Sequence, residues 1–210
     1  MIKILIADDH TIVREGLKQI VGDVGDMMVA DEAGNGQEAL QKIREKDYDV
    51  VLLDISMPGR SGLEVLKDIR AERPKLPVLI LSMHSEEQYA VRALRAGASG
   101  YLTKASAPDE LIGAIRKVSR GRKYVTASLA EKLALELDAD IRKPPHEILS
   151  DREYQVMLML ASGKTVTEIA EELCLSVKTI STYRSRILEK MNMKKNAELT
   201  LYAVQNHLVD

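Results

Sequence analysis

The chain has 210 residues, of which 45% are hydrophobic and 30% are charged, and its formal net charge is −2. The length suits two small domains, and the composition is typical of folded globular proteins. Because the charges nearly cancel, any nucleic-acid-binding surface must be a local basic patch. Phe and Trp are absent, which argues against recognition of single strands by base stacking.

The single cysteine, Cys174, excludes an intramolecular disulfide framework and fits a reducing compartment. No apolar run reaches the roughly 20 residues that span a bilayer, and "MIKILIADDH" lacks the features of a signal peptide. We therefore expect a cytoplasmic location. Cys174 itself is predicted to fill space in a core.

The first 120 residues alternate between short apolar segments and amphipathic ones. The predicted strands are Lys3–Ala7, Met27–Asp31, Asp49–Asp54, Pro77–Ser82 and Gly100–Thr103. The predicted helices are Thr11–Val21, Gly36–Glu45, Gly62–Ala71, Glu86–Ala96 and Pro108–Ser119. This alternation implies parallel pairing and predicts an α/β fold, a flavodoxin-like doubly wound (βα)5 domain with strand order 2-1-3-4-5.

The remaining residues carry helical patterns alone, so the second domain is predicted to be all-α. A helix is expected over Ala127–Ile141, followed by a semi-rigid joint, Arg142-Lys143-Pro144-Pro145. Four more helices are predicted at Asp151–Ala161, Val166–Leu173, Val177–Met191 and Ala197–Asn206. The predicted organisation is thus a first domain over residues 1–121, a helical linker over 122–147 and a four-helix domain over 148–210.

Acidic residues lie where two strands of the first domain end. Asp8 and Asp9 follow the first strand, and Asp54 ends the third, within "VVLLDISMPG". In strand order 2-1-3-4-5 these ends meet at the point where the order reverses, which is where doubly wound sheets bind ligands. Carboxylates this close raise one another's pKa unless a cation joins them. Mg²⁺ with oxygen ligands is the expected one.

Two further polar groups arrive from the neighbouring strands. Ser82 ends the fourth strand, and Lys104 follows the fifth. A hydroxyl, an ammonium and a metal around a carboxylate can bind a phosphoryl group, so Asp54 is predicted to be a phosphoryl acceptor. His10 is interpreted as a loop residue or a neighbour of the helix N-cap, and His84 as a surface residue near the site.

Two other functions of the same acidic site, phosphatase activity and nucleotide binding, are less well supported by the sequence than phosphoryl acceptance. Phosphatases that form an aspartyl phosphate want a second Asp two residues after the nucleophile, and Ser56 stands there. Nucleotide binding wants a glycine-rich loop after the first strand, where this chain has "DDHTIV". A DNA-binding protein that needs no phosphorylation is a third alternative.

The segment "TEIAEELCLSVKTISTYRSR" has the layout of a helix-turn-helix. Ser176 is a good N-cap for the second helix, in which Val177, Ile180, Ile187 and Met191 are expected to face the core. The side chains predicted to lie in a DNA major groove are Lys178, Thr179, Ser181, Thr182, Ser185, Arg186 and Lys190. Between Lys178 and Lys195 there are six basic residues and one acidic residue, a local charge of +5. Such a basic stripe suits phosphate contacts, although a solvated helix face would look similar.

The motifs "ILIADDH", "VVLLDISMPGRSGLEVL", "VLILSMHS" and "AGASGYLTKASAPDEL" resemble the receiver domain of two-component response regulators. The resemblance implies that a histidine kinase phosphorylates Asp54. It also implies that Asp8, Asp9, Asp54 and the backbone carbonyl of Ser56 hold Mg²⁺. Ser82 and Lys104 would bind the phosphoryl group, and Tyr101 would be the switch aromatic. A receiver is not a conventional enzyme, although it is expected to promote its own dephosphorylation.

Residues 148–210 resemble the LuxR-type helix-turn-helix of the NarL/FixJ-like response regulators. The resemblance implies a transcription regulator that binds double-stranded DNA as a homodimer on paired half-sites. Val166, Thr167, Tyr183 and Asn196 depart from residues common in that family. The small hydroxyl residues of the second helix read bases weakly, so specificity is expected to depend on dimer spacing and DNA shape.

Overall fold

The computed structural model describes residues 1–84, 86–138 and 144–209. The chain divides into two compact units, Met1–Glu136 and Leu137–Asp210. Among the helices that these residues form, none is long and apolar enough to cross a membrane.

The first unit is a parallel sheet with a helix after each strand. Its strands are β1 (Ile2–Ala7), β2 (Met27–Ala33), β3 (Val50–Asp54), β4 (Val78–Ser82) and β5 (Gly100–Thr103). Its helices are α1 (Thr11–Gly22), α2 (Gly36–Glu45), α3 (Gly62–Glu72), α4 (Glu86–Arg95) and α5 (Pro108–Ser119). A sixth helix, α6 (Ala127–Asp138), begins in this unit and crosses its boundary at Glu136.

The sheet has the predicted order, β2-β1-β3-β4-β5, and every pairing is parallel. All residues of β3 and β4 are buried, because helices cover both faces of these central strands. The strand and helix boundaries lie within two residues of the predicted ones. Strand β2 runs two residues beyond its predicted end, to Ala33, since its pairing with β1 continues through Ala7.

The end of α4 and the beginning of α5 agree with the sequence signals at those positions. Gly97 follows α4 with a left-handed φ of 104°, and Pro108 is in the first turn of α5. After α5 the chain stays attached to the sheet, because Tyr124 forms a parallel bridge with Gly100. In α6, Leu129 is buried. The predicted end of this helix at Ile141 and the first part of the joint, Arg142-Lys143, lie outside the described residues.

The second unit consists of a short 3₁₀ helix (Pro145–Ile148) and the helices α7 (Asp151–Ala161), α8 (Val166–Glu172), α9 (Val177–Lys190) and α10 (Asn196–Gln205). Hydroxyl side chains begin three of them: Ser150, Thr165 and Ser176 each accept a hydrogen bond from the third helical amide. Ser150 and Thr165 form complete capping boxes with Glu153 and Glu168. The helix-turn-helix over α8 and α9 is thus specified by local sequence.

Two side chains in this unit do not lie where the sequence pattern predicts. Val177 is 48% exposed, because it is the first residue of α9, where the core-facing stripe begins only at Ile180. Cys174 is also exposed, so the core-filling role predicted for it is wrong. It is the left-handed residue that ends α8, with φ 52°, and its N–H donates to the carbonyl of Glu171. A left-handed residue at this position is a common way for a helix to end.

Candidate functional site

The carboxylates of Asp8 and Asp54 meet between β1 and β3, where the strand order reverses. Asp54 is the last residue of β3, and Ala7, which precedes Asp8, pairs with Leu53 in the sheet. Both Asp8 and Asp54 are only 1% exposed. One ligand atom from each of Asp8, Asp9, His10 and Asp54 can be chosen so that all four lie within 4.8 Å of one another. The predicted acidic cluster is therefore present as a compact group.

Lys104 compensates the buried carboxylates. Its Nζ lies 2.6 Å from Asp8 Oδ2 and 2.8 Å from Asp54 Oδ2, and its side chain is 6% exposed. Burial raises the pKa of Asp54 despite the attraction of Lys104. Burial by itself would lower the pKa of Lys104, but the attraction of Asp54 and Asp8 outweighs it and raises that pKa. The ammonium of Lys104 therefore lies where it would contact a group attached to Asp54.

Two residues that the sequence pattern did not single out shape the backbone around the carboxylates. Gly62, the first residue of α3, donates its N–H to the carbonyl of Ile55, and a Cβ at this position would lie 2.0 Å from the carbonyl oxygen of Asp54. Arg14 donates from Nη1 to the carbonyl of Asp8 at 2.7 Å and pairs with Glu32 on β2. The segment "PGRSG" in the motif quoted above places Gly62 at the start of the predicted helix. The sequence does not show, however, that the backbone at Gly62 lies close to the backbone of Asp54.

Ser56, Ser82 and Tyr101 are linked through the residues that follow β4. Ser82 is fully buried at the end of β4, and its Oγ accepts the N–H of His84 at 3.1 Å. The hydroxyl of Tyr101, itself 1% exposed, donates to the carbonyl of His84 at 2.8 Å. The His84 ring lies 3.4 Å from Ser56 Oγ. His84 is half-buried and connects these groups, a role that its interpretation as a surface residue missed.

The donor set fits a hard divalent cation. Ser56 donates its N–H to Asp54 Oδ1 at 3.2 Å. Asp9 Oδ1 is a buried atom that accepts no hydrogen bond from the described residues, although His10 Nδ1 lies 3.0 Å away. Three carboxylates with one compensating ammonium leave a local excess of negative charge, which a bound cation would offset. The acidic cluster is thus compatible with Mg²⁺.

The side chains predicted to contact DNA lie along α9. Lys178, Ser181, Thr182, Ser185 and Arg186 are exposed, and Thr179 is half-buried. The hydroxyls of Thr182 and Ser185 donate to backbone carbonyls one turn earlier on α9, at Lys178 and Ser181. Within residues 144–209, no acidic group forms an ion pair with Lys178 or Arg186. The exposed face of α9 thus presents unpaired cations and small side chains.

Lys190 differs from the other residues of this set. Its Nζ lies 2.6 Å from Oε2 of Glu153, a residue on α7 that is 3% exposed. Burial by itself would raise the pKa of Glu153, but the hydrogen bonds from Lys190 and Ser150 outweigh it and lower that pKa. Arg184 is likewise held, since its Nε donates to Asn196 at 2.7 Å. The basic stripe read from sequence therefore contains both outward-facing and structurally paired cations.

Buried carboxylates paired with a lysine at the switch point of a doubly wound sheet, together with a helix-turn-helix, are typical of signal-controlled DNA-binding proteins. The family model of the response regulator receiver domain matches residues 4–116, and that of the luxR family of bacterial regulatory proteins matches residues 147–203. The chain therefore belongs to the response regulators of two-component signalling that carry a luxR-family domain and act as DNA-binding transcription regulators.

Three proteins with the same two domains are similar to this chain over nearly their whole length. The response regulator GacA of Pseudomonas syringae pv. syringae is 39% identical, over 100% of this chain and 99% of its own. The response regulator UvrY of Escherichia coli K12 is 39% identical, over 99% of this chain and 96% of its own. A solved structure of RcsB from Salmonella enterica serovar Typhimurium, bound to promoter rprA with the phosphomimetic BeF₃⁻, is 27% identical with a TM-score of 0.66, over 96% of this chain and 97% of that one.

Proposed function

We propose that the chain is a phosphorylation-controlled transcription regulator in which Asp54 accepts a phosphoryl group from a histidine kinase. The observation that carries the proposal is the buried contact of Lys104 with both Asp8 and Asp54 at the switch point of the sheet. Asp54 forms the new P–O bond, and the P–N bond of the kinase phosphohistidine breaks with its electron pair left on the imidazole, which takes up a proton.

Four ligand positions are proposed for Mg²⁺: the side chains of Asp8, Asp9 and Asp54 and the backbone carbonyl of Ser56. When bound, the cation offsets the charge that accumulates on the transferred phosphoryl oxygens. Lys104 supplies the second cation and already lies against Asp54 Oδ2. The same arrangement, open to one water molecule, is proposed to promote slow hydrolysis of the aspartyl phosphate.

The switch is proposed to run through Ser82 and Tyr101. In the structure, Ser82 Oγ is engaged by the N–H of His84, and the carbonyl of His84 holds the Tyr101 hydroxyl. Recruitment of the Ser82 hydroxyl to a phosphoryl oxygen would break the first bond and so disturb the second. Because the two arrangements differ by few hydrogen bonds, a phosphoryl group can shift the population between them.

The output is proposed to be DNA binding by α9 as part of a homodimer. Lys178, Thr179, Ser181, Thr182, Ser185 and Arg186 are proposed to face the major groove, and the exposed cations among them suit phosphate contacts. The DNA-bound RcsB structures, which resemble this chain over nearly its whole length, support this reading. Two linked modules on paired half-sites would bind more tightly than one.

The proposed domain boundaries are 1–121 for the receiver, 122–147 for the linker and 148–210 for the DNA-binding domain. The family matches, which end at residue 116 and begin at residue 147, support this division. Because a regulator of this kind must reach both its kinase and chromosomal DNA, we propose that it acts in the cytoplasm.

The experiment that tests the function measures molar mass by light scattering with Mg²⁺, before and after addition of a small-molecule phosphodonor. Intact mass spectrometry confirms the phosphorylated fraction, and Asp54→Asn is the matched control. We expect a monomer-to-dimer shift in the wild type alone, with tighter binding to a duplex selected from a random library. Phosphorylation of Asp54→Asn, or a wild-type DNA affinity that phosphorylation leaves unchanged, would contradict the proposal.

A further inference from the structure

The backbone of Asp8 is held on both sides by groups outside its own loop. Its N–H donates to the carbonyl of Ala33, the last residue of β2, at 3.0 Å. Its carbonyl accepts a hydrogen bond from Nη1 of Arg14, a residue of α1, at 2.7 Å. Both backbone polar groups of Asp8 are therefore paired within the protein, which fixes the direction in which the chain leaves β1 and continues to Asp9.

Arg14 is itself held by two further contacts. Its Nε donates to Oε2 of Glu32 on β2 at 3.1 Å, and its Nη2 donates to the hydroxyl of Thr11 at 3.3 Å. The Arg14 side chain is only 16% exposed. A guanidinium carries its donors in one rigid plane, so partners on three sides leave it few alternative positions. The donor that contacts the Asp8 carbonyl thus has a defined place.

We propose that Arg14 is a positioning residue of the metal site, which holds the backbone of Asp8 and Asp9 so that both carboxylates are directed at one cation. The inference rests on the proposed function, because it concerns the Mg²⁺ bound beside Asp54. By its charge alone, an arginine close to the site would weaken Mg²⁺ binding. By its position, it orders the ligands in advance and strengthens binding. The two effects have opposite signs, so a measured affinity separates them.

Lys18, one turn further along α1, provides the matched control. It carries the same charge as Arg14 and pairs with the same acid, since its Nζ lies 2.8 Å from Glu32 Oε1. Within the part of the chain that the structure describes, its ion pairs go to Glu15 and Glu32, and it lacks the contact with the Asp8 carbonyl. Lys18→Met therefore removes one charge and one partner of Glu32 and leaves the backbone of Asp8 held.

The test is calorimetric titration of the full-length protein with Mg²⁺, at a temperature where circular dichroism shows each variant to be folded. For Arg14→Met we expect an affinity about 10-fold weaker than that of the wild type. For Lys18→Met we expect an affinity within about twofold of the wild type, because a part-exposed charge is screened. Should Arg14→Met not fold, Arg14→Lys replaces it: this variant keeps the charge and loses the fork, so it should also bind Mg²⁺ more weakly.

The rate of phosphorylation by a small-molecule donor, measured against Mg²⁺ concentration, gives a second readout. Arg14→Met should need more Mg²⁺ for half of its maximal rate and should reach a maximal rate within about twofold of the wild type. The reason is that Arg14 orders the metal ligands and does not contact Asp54. A general loss of stability would not by itself produce this division between the two parameters.

The outcomes separate this inference from the proposed function. A Mg²⁺ affinity in Arg14→Met equal to or tighter than that of the wild type would overturn the positioning role and leave only the effect of charge. Equal losses in Arg14→Met and Lys18→Met would also overturn it, because the contact with Asp8 would then be irrelevant. Failure of the wild type to bind Mg²⁺, or binding that Asp54→Asn leaves unchanged, would instead count against the metal site of the proposed function.

Discussion

The two candidate functional surfaces use charge in opposite ways. In the receiver, Asp8 and Asp54 are buried and already compensated by Lys104, which is itself 6% exposed. On α9, Lys178 and Arg186 are exposed and lack an acidic partner within residues 144–209. Buried charges must be paired, so their geometry is specified by the fold. Exposed charges are cheap to maintain, and they stay available for a ligand that carries the opposite charge.

The largest effect should come from removing the buried compensating cation. Lys104→Met leaves Asp8 and Asp54 as adjacent unpaired carboxylates, and we expect it to reduce the unfolding free energy by about 3 kcal/mol without divalent cations. Addition of Mg²⁺ should restore part of the loss, because the cation offsets the same charges. Urea unfolding followed by circular dichroism measures both. The control is Lys46→Met, which breaks the exposed ion pair with Asp31 and should lower the unfolding free energy by at most about 0.5 kcal/mol. Equal losses of unfolding free energy in the two variants would contradict the distinction between buried and exposed charges.

Gly62→Ala should have the next largest effect, by forcing α3 away from the end of β3. Its Cβ would meet the carbonyl oxygen of Asp54 at 2.0 Å, so we expect a loss of about 2 kcal/mol in stability. Phosphorylation by a small-molecule donor should also slow, because the displaced strand end carries the acceptor. Gly113→Ala is the matched control: it is an exposed position inside α5 with open space around it and should gain up to about 1 kcal/mol. A Gly62 variant as stable as this control would show that the strand end yields easily.

A comparison of Lys190→Met with Arg186→Met tests whether one cation of α9 stabilises the fold and the other contributes to DNA binding. Lys190→Met leaves the buried Glu153 without its ion pair and should cost about 1–2 kcal/mol of stability. Arg186→Met should leave stability unchanged and lower the slope of log affinity for DNA against log salt by about 0.9. Stability is measured by urea unfolding, and DNA affinity by fluorescence anisotropy at several salt concentrations.

The contribution of Glu153 should also depend on pH in a stated direction. Because its folded pKa is lowered, the stabilisation is fully present above the ordinary carboxyl pKa and is lost as pH falls through the folded value. The wild type should therefore lose more stability on acidification than Lys190→Met does. A reduced salt slope in Lys190→Met, equal to that in Arg186→Met, would instead return Lys190 to the set of DNA contacts.

Tyr101→Phe should have a smaller effect, which separates packing from switching. The variant keeps the buried ring and loses the hydrogen bond from the Tyr101 hydroxyl to the His84 carbonyl, so we expect about 1 kcal/mol of destabilisation. The phosphorylated fraction that reaches the dimer should change, since the bond that couples Ser82 to Tyr101 is absent. Light scattering at fixed phosphorylation measures this fraction, and a dimer population equal to that of the wild type would assign Tyr101 to packing alone.

Cys174→Gly should give the smallest effect and should be stabilising. A non-glycine residue with φ 52° is sterically strained, and glycine removes this strain. The greater conformational freedom of glycine in the unfolded chain offsets part of that gain. We therefore expect a gain of about 0.5 kcal/mol in thermal or urea unfolding. The exposed thiol should also react with a thiol reagent in the native wild type. A native thiol that reacts only after unfolding would contradict its exposed position.

The sequence by itself determined the order and type of the elements. Periodic apolar patterns and local caps such as Ser150 and Ser176 depend on neighbours a few residues away, so all five strands, their order and the helices α7 to α10 were predicted within a few residues. The short 3₁₀ helix Pro145–Ile148 was not predicted. The acidic cluster was also predictable. Parallel strands bring their carboxyl ends to one edge of the sheet, and Asp8, Asp54, Ser82 and Lys104 all stand at such ends.

Tertiary structure alone decided the contacts between residues distant in sequence. The pairing of Lys190 with Glu153, the close approach of Gly62 to Asp54, and the link from Ser82 through His84 to Tyr101 all join separate elements. A period of 3.6 residues indicates which face of α9 points outward, but not which outward cation finds a partner on α7. Cys174 is exposed at the left-handed position that ends α8, although its residue type favours a core.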